Sequence, residues 1–344
     1  MTDLSPKPFI IPIFLPNMGC PHRCVFCDQI SITGESDDQI LPQQVCERIS
    51  EFLNFKGKHR GSVEVAFYGG NFLGLPESYR QSLLDEAQGF VEKGQVNSIR
   101  FSTRPDTITS DALNTLAPYA VRVVEVGAQS MDDTVLSLSR RGHTSVDTRN
   151  AVKLLKDRGL WVGLQIMPGL PGDTPGSILE TGRKVAELKP DFVRIYPTVV
   201  VKNTVLEKWY DSGRYKPLSL ADAIGLTKRL YLVFKARGIS VIRMGLQATG
   251  SLLETGTVVA GPFHPAFGHL VHSAVFLDIA TRELERQETA SRKVALKVHL
   301  HDVPKVKGLK NQNIKKLVLR FELEELQVLS DPAVPEDTVR VVEL

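Results

Sequence analysis

The chain holds 344 residues, 42% hydrophobic and 24% charged, at a formal net charge of +3; this mixture excludes a disordered chain and suffices for one large core plus an appendage. No run approaches the roughly 20 consecutive apolar residues of a membrane span, and the opening MTDLSPKPFI lacks the basic-then-apolar pattern of a signal peptide, so a cytoplasmic protein with no membrane contact is expected. Four cysteines are too few for a disulfide scaffold, and three of them crowd between Cys20 and Cys27, which points to a metal.

In chain order, short β-rich runs alternate with helical patterns. Strands are predicted at 9–15, 63–67, 98–102, 121–126, 161–166 and 192–196, with a seventh candidate at 239–242. They read as apolar on both faces, as buried parallel strands are. Between them apolar residues recur at helical spacing: Leu41, Val45, Ile49, Phe52 and Leu53, then Leu83, Leu84, Ala87, Phe90 and Val91. Further helices are predicted at 110–117, 147–158, 176–188 and 219–236, with Ser110 and Ser219 as N-caps. Six consecutive units predict an α/β fold, a partial (β/α)6 TIM-like barrel, with its chemistry in the loops after the strand C-termini. The regular pattern ends near residue 243. Gly245 to Val271, rich in Gly and Pro, predicts a loop crossing the barrel or a connection. Residues 272–344 then predict a helix, a strand at 294–300, a helix at 313–321 and strands near 326–329 and 338–343. The expected division is a core barrel at 1–245 and a small α+β C-terminal extension at 246–344.

Directly after the first strand stands Gly19-Cys20-Pro21-His22-Arg23-Cys24-Val25-Phe26-Cys27. Three thiolates on a four-iron cubane leave one iron open to a substrate or cofactor. The alternative is a structural zinc site with His22 or Cys46 as fourth ligand, but such sites favour two separated ligand pairs and the second pair is missing. Cys46, beside the apolar Val45, reads as a core residue. CxxxCxxC with an aromatic before the last cysteine resembles the signature of the radical SAM superfamily, and the resemblance extends over the six βα units at 8–245. It implies that Cys20, Cys24 and Cys27 hold a 4Fe-4S cluster and that S-adenosylmethionine is the second cofactor, cleaved reductively to a 5′-deoxyadenosyl radical. An electron donor of the flavodoxin or ferredoxin type is implied as a partner.

After the second strand comes Phe67-Tyr68-Gly69-Gly70-Asn71-Phe72, where glycines allow the backbone to approach a ligand closely. By the resemblance, Gly69 and Gly70 bind the amino group of the cofactor's methionine part, with Asn71 standing where an acid or hydroxyl is usual. Ser102, Gln129 and Gln165, at the ends of strands three to five, are implied to contact its ribose or methionine part. Arg141 is implied to pair with its carboxylate through forked donors, and Phe26 to lie against the adenine. These blocks resemble the oxygen-independent coproporphyrinogen oxidases and, more closely, the radical SAM half of the Elongator catalytic subunit. That subunit carries an acetyltransferase domain after its radical half, and no acetyl-coenzyme A pyrophosphate loop is found in these 344 residues. Its tRNA carboxymethylation is therefore not expected to carry over.

Arg194, Tyr196, Lys202, Arg243 and Gln247 are candidates either to line a substrate pocket or to serve the structure, and His264 is a candidate proton donor or packing residue. Ser291 to Arg320 carries nine Lys and Arg (Arg292, Lys293, Lys297, Lys305, Lys307, Lys310, Lys315, Lys316 and Arg320) against one acid, Asp302. Such a segment suits a phosphate backbone, which makes RNA a candidate partner, with no aromatic residue there to stack on bases. Three functions compete: radical SAM chemistry on RNA, the same chemistry on a small metabolite or tetrapyrrole, and a non-catalytic cluster- or haem-binding scaffold. Intact Cys20, Cys24, Cys27, Gly69 and Gly70 argue against the third.

Overall fold

The computed structural model describes residues 8–21, 23–35, 38–55, 61–287 and 291–344; His22, one of the two fourth ligands weighed for the zinc alternative, lies outside them. Elements are numbered in chain order. Seven parallel strands form the main sheet: β1 Phe9–Leu15, β2 Val63–Gly69, β3 Ser98–Thr103, β4 Val121–Gln129, β5 Trp161–Ile166, β6 Phe192–Ile195 and β8 Ser240–Met244. Their order in space is their order in the chain, β1-β2-β3-β4-β5-β6-β8. The two edge strands, β1 and β8, are not paired with each other, so the barrel is partial. The seventh candidate strand is present and joins β6.

Helices return the chain between strands: α1 Gln29–Thr33, α2 Pro42–Phe55, α3 Glu77–Glu92, α4 Ser110–Asn114, α5 Asp133–Leu138, α6 Ser145–Asp157, α7 Pro175–Glu187, α8 Val205–Asp211 and α9 Leu220–Lys235. Their starts follow capping chemistry. Ser219 caps α9 through the Asp222 N–H at 3.1 Å, and Thr144 and Thr174 close capping boxes on α6 and α7. For α4 the cap is Thr109 rather than Ser110, which is already the first helical residue. Thr109 is extended and its hydroxyl accepts from the Ala112 N–H at 3.1 Å.

Alternate residues of each strand divide the sheet into two unlike faces. Ile11, Ile13, Val65, Phe67, Ile99, Phe101, Val124, Val126, Val162, Leu164, Val193 and Ile195 join buried side chains of the helices, such as Leu83, Leu84, Leu155, Val185 and Leu230, in one core. The opposite face carries Glu64, Tyr68, Arg100, Ser102, Glu125, Gln165 and Arg194. The expectation of strands apolar on both faces is thus corrected. Partial barrels bury both faces of the sheet, but the inner face is buried around polar groups that satisfy one another.

Beyond β8 the chain is more regular than a crossing loop. It forms α10 Gly250–Leu253 and β9 Val258–Ala260, which pairs antiparallel with the two-residue β7 Val200–Val201. The Thr249 hydroxyl donates to the Ile32 carbonyl at 2.8 Å, so this stretch reaches back to the first loop. Helix α11, Phe267–Arg286, begins inside the segment read as loop. Its Phe267 and Val271 belong to the main core, whereas Phe276, Ala280 and Leu284 belong to a second one. That second core gathers β10 Lys293–Val298, α12 Val303–Lys307, α13 Gln312–Phe321, β11 Glu325–Ser330 and β12 Arg340–Glu343, with strand order β11-β10-β12.

Candidate metal centre

The three clustered cysteines sit in the loop from β1 to α1, at the C-terminal end of the sheet. Hydrogen bonds tie this loop down at intervals. The Gly70 N–H donates to the Leu15 carbonyl at 2.9 Å and the Asn71 N–H to the Met18 carbonyl at 2.7 Å. Farther on, the Val25 N–H donates to Ser139 at 3.2 Å, and the Leu206 N–H donates to Val25 at 2.8 Å. Val25 is fully buried beside Val200, Leu206 and Tyr215. Cys24 is buried and Cys20 and Cys27 are half-buried, while Cys46 packs on α2 against the main core.

Glycine at 19 and 70 is required by the fit of this loop on the β2 end. A Cβ on Gly70 would stand 2.0 Å from the Met18 carbonyl oxygen, and one on Gly19 would stand 2.2 Å from that of Asn71. Asn71, 1% exposed, is the bracket between them. Its amide donates to the Gly19 carbonyl at 2.9 Å, and its Oδ1 accepts from Thr103 Oγ1 at 2.6 Å, from the Arg104 N–H at 3.0 Å and from Thr107 Oγ1 at 2.9 Å.

Two buried arginines face the thiols. Arg141 Nη1 lies 3.1 Å from Cys24 Sγ, and its Nη2 donates to the Gly127 carbonyl at 2.8 Å. Arg104 clasps Asp106 through two 3.0 Å bonds and donates to the Arg141 carbonyl. Its Nη1 is buried without a hydrogen-bond partner among the described residues. Burial pushes the Cys27 thiol up to about 12, and the nearby Cys24 and Cys20 add to the shift. Burial and Cys24 also raise Cys20, against a downward pull from Arg104 and Arg141. Burial outweighs the two arginines, so Cys20 and Cys27 stay protonated until a metal is ligated, which deprotonates a thiol outright. His143 donates from Nε2 to the Ala128 carbonyl at 3.2 Å, and burial, then Arg141, lowers its pKa to about 3, so it is neutral.

The other candidate residues converge on the same end of the sheet. Ser102 Oγ donates to the Gly69 carbonyl at 3.3 Å, and the Gln165 amide donates to Gln129 Oε1 at 3.1 Å. Gln129 takes a left-handed backbone (φ 64°) where the β4–β5 register shifts, a conformation that non-glycine residues keep only when the surroundings hold it. Its carbonyl accepts from the Met167 N–H at 2.9 Å. Phe26 lies half-buried between the Val25–Leu206 cluster and the Val135–Met167–Leu170 cluster.

The substrate candidates separate. Arg194 and Tyr196 belong to a buried charge network on the inner face: Arg194 pairs with Glu125 at 2.6 Å, Arg100 pairs with Glu125 at 3.1 Å and with Glu64 at 2.8 Å, and the Tyr68 hydroxyl donates to Glu125 at 3.0 Å. Arg194 Nη1 also donates to the Tyr196 hydroxyl at 3.1 Å. Arg243 donates to Gln247 at 3.0 Å, and both line a cavity of about 340 Å³ between β8 and α11, with His272 and Pro265. Lys202 is exposed beyond β7. His264 Nδ1 accepts from the Ala266 N–H at 3.0 Å, at the start of α11. Glu125, Arg100, Tyr68 and Arg104 were not singled out from the sequence. The signal available for the first three was a polar side chain set inside an otherwise apolar run, as in VEVAFYG, SIRFST and VRVVEVGAQ.

The donor set fits an anionic cluster: three thiols, one of them in contact with a buried guanidinium, and a second guanidinium holding an unsatisfied N–H beside them. The family model of the radical SAM superfamily matches residues 15–185, and that of the radical SAM C-terminal domain matches residues 190–275. The chain belongs to the radical SAM superfamily. Its cofactors are accordingly a 4Fe-4S cluster and S-adenosylmethionine, and it is an enzyme. The tRNA uridine(34) acetyltransferase of Dehalococcoides mccartyi is 29% identical over 248 residues, covering 63% of this chain and 54% of that relative. An uncharacterized protein of Methanocaldococcus jannaschii is 31% identical over 232 residues, covering 64% of this chain and 70% of itself. Elongator complex protein 3 of Bos taurus is 29% identical over 259 residues, 69% of this chain and 47% of that protein. The radical SAM chain thus spans about half the length of the acetyltransferase and Elongator relatives. Among solved structures, archaeal Elp3 of Methanocaldococcus infernus superposes with a TM-score of 0.59 at 22% identity, covering 78% of this chain and 62% of that one. Coproporphyrinogen III oxidase of Escherichia coli does so with a TM-score of 0.50 at 18% identity, covering 67% and 53%. These likenesses support the partial-barrel fold. Among the described residues, no helix is long and apolar enough to cross a membrane.

Proposed function

We propose that this radical SAM enzyme modifies tRNA, with Cys20, Cys24 and Cys27 as the cluster ligands. Two of the relatives reported above are named as tRNA uridine(34) acetyltransferase and Elongator complex protein 3, and the observation that carries the site assignment is the Cys24–Arg141 contact in the loop after β1. When bound, the cluster and S-adenosylmethionine supply a reductively generated carbon radical able to take a hydrogen atom from an unactivated position. The chain's residues bind and shield. Arg141 and Arg104 offer buried positive charge to the anionic cluster and to the cofactor carboxylate. The N–H groups of Gly70 and Asn71 are spent on the cysteine loop, so an amino group docking there meets the carbonyl oxygens of Gly69 and Gly70. Ser102, Gln129 and Gln165 present hydroxyl and amide groups to the cofactor's polar part, and Phe26 presents a ring to its adenine. The concave inner face of the partial barrel limits the access of water to the radical. A donor of the flavodoxin or ferredoxin type delivers the electron, and a cytoplasmic location follows from a tRNA substrate.

The division into a barrel at 1–245 and an extension at 246–344 gives the second unit the docking role. Lys293, Lys297, Lys307, Lys310, Lys315 and Lys316 have no ion-pair partner among the described residues, and Asn311, at the N-cap position of α13, makes no side-chain cap that would compete with a phosphate there. Lys305 and Arg320 are otherwise engaged, with Asp302 and Glu285 at 2.7 Å each. Anaerobic reconstitution followed by reductant and S-adenosylmethionine should yield 5′-deoxyadenosine, faster with tRNA present. Filter binding of total tRNA should weaken steeply with salt, and the slope should flatten when Lys307, Lys310 and Lys315 become Glu. No binding at low salt would favour a small-molecule substrate instead, for which the cavity of about 340 Å³ beside Arg243 is a suitable size.

A further inference from the structure

We infer that His299, His301 and Glu336 form a binding site for one divalent metal ion of the zinc type, in the C-terminal unit and separate from the cysteine loop. β10 ends at Val298, and His299 caps the short turn Leu300–Asp302 by accepting the His301 N–H on Nδ1 at 3.3 Å. This places the two imidazoles with ring centroids 4.8 Å apart, edge to face. Glu336 comes from the connection between β11 and β12, 35 residues on from His301, and its Oε1 lies 2.9 Å from His301 Nδ1 and 3.6 Å from His299 Nδ1. One ligand atom from each of the three residues lies within 4.8 Å of the others. Tetrahedral zinc with bonds of roughly 2.0–2.1 Å separates its ligand atoms by about 3.3 Å, which the two measured separations to Glu336 bracket, and on binding the ion His299 Nδ1 exchanges its 3.3 Å bond from the His301 N–H for the metal.

The backbone holds the triad in place. The Asp337 N–H donates to Oδ2 of the fully buried Asp302 at 2.7 Å, the Asp331 N–H donates to the Val298 carbonyl at 2.9 Å, and the Thr338 hydroxyl donates to Pro335 at 2.6 Å. Glu336 therefore reaches the histidines from a pinned loop, and little ordering is left for the ion to impose. Two imidazoles and one carboxylate suit zinc and its first-row neighbours rather than magnesium or calcium, which prefer oxygen, and the fourth position is open to water. A metal here replaces the proton shared between His301 and Glu336. It would clamp the segment after β10 to the 331–339 connection, and it would add positive charge to the lysine-bearing face next to α12.

Tag-free protein with its iron–sulfur cluster in place, dialysed anaerobically against micromolar zinc, should retain one zinc per chain beyond its iron. His301→Ala and Glu336→Gln should each weaken that binding at least tenfold with iron content unchanged. These side chains are 68% and 59% exposed, so neither change disturbs the packing. Zinc should also raise the melting temperature of the wild type and leave that of His301→Ala unmoved. Equal zinc retention by the wild type and both variants, or none by the wild type at a hundredfold higher zinc, would overturn the assignment.

Discussion

The half-barrel and the C-terminal unit use the same kinds of charged residue in opposite ways. Inside the barrel, Glu64, Arg100, Glu125 and Arg194 are nearly withdrawn from water, with side-chain exposures of 7 to 17%, and every guanidinium finds a carboxylate. In the C-terminal unit the lysines of 293–316 stand on the surface, and among the described residues only Lys305 meets an acid. The difference teaches that burial, rather than residue type, decides the role. A buried ion must be paired or the fold pays heavily, so the inner network has no charge to spare for a partner. An exposed ion is already solvated and remains available to a polyanion.

The comparison is broken most completely at the thiols. Cys24→Ala should reduce bound iron from about four atoms per chain to almost none and abolish 5′-deoxyadenosine formation, whereas Cys46→Ala should leave both intact. Iron analysis of the reconstituted variants checks this. Gly70→Val should also lose most of its iron as well as S-adenosylmethionine binding, because the new side chain displaces Met18 and with it the cysteine loop. Retention of a full cluster in that variant would show that the loop can move aside.

Next in size is the inner network. Glu125→Leu leaves Arg100 and Arg194 without their shared carboxylate and should destabilise the fold by about 3–5 kcal/mol, while Arg320→Ala, whose ion pair is 58% and 48% exposed, should change stability by less than about 1 kcal/mol. Urea denaturation of the two variants sharpens the contrast directly. A smaller effect depends on pH. His143 titrates near 3 when folded and near its ordinary value when unfolded, so the unfolded chain takes up a proton first as pH falls. Its contribution is complete above about pH 6.5. It is lost as pH drops through the interval down to about 3, at up to about 1.4 kcal/mol per unit. His143→Gln should flatten that part of the stability–pH curve. The smallest effect belongs to the outer lysines: each phosphate contact removed by a Lys-to-Glu change at 307, 310 or 315 should lower the salt slope of tRNA binding by about one, with no change in melting temperature.

What the sequence determined by itself was local. The strands at Phe9–Leu15 and Trp161–Ile166, the cap at Ser219, and the spacing of Cys20, Cys24 and Cys27 depend on residues a few positions apart, where dihedral preference, periodicity and loop length act directly. The cysteine spacing carried the family with it. The single charges inside VEVAFYG and SIRFST were legible too, but their meaning required knowing which strands are neighbours. Only the tertiary structure decided the rest. Arg141 meets Cys24 across 117 residues, Asn71 bridges the loops after β1 and β3, and Glu125 collects partners from β2, β3 and β6. The basic segment looked nearly unopposed along the chain, yet folding brings Lys305 to within 3.9 Å of Asp337 and Arg320 to Glu285, and sets Glu336 beside two histidines. Contacts of that kind are set by strand order and helix packing, because an ion pair or a ligand set is defined by distance in space, and distance along the chain does not report it.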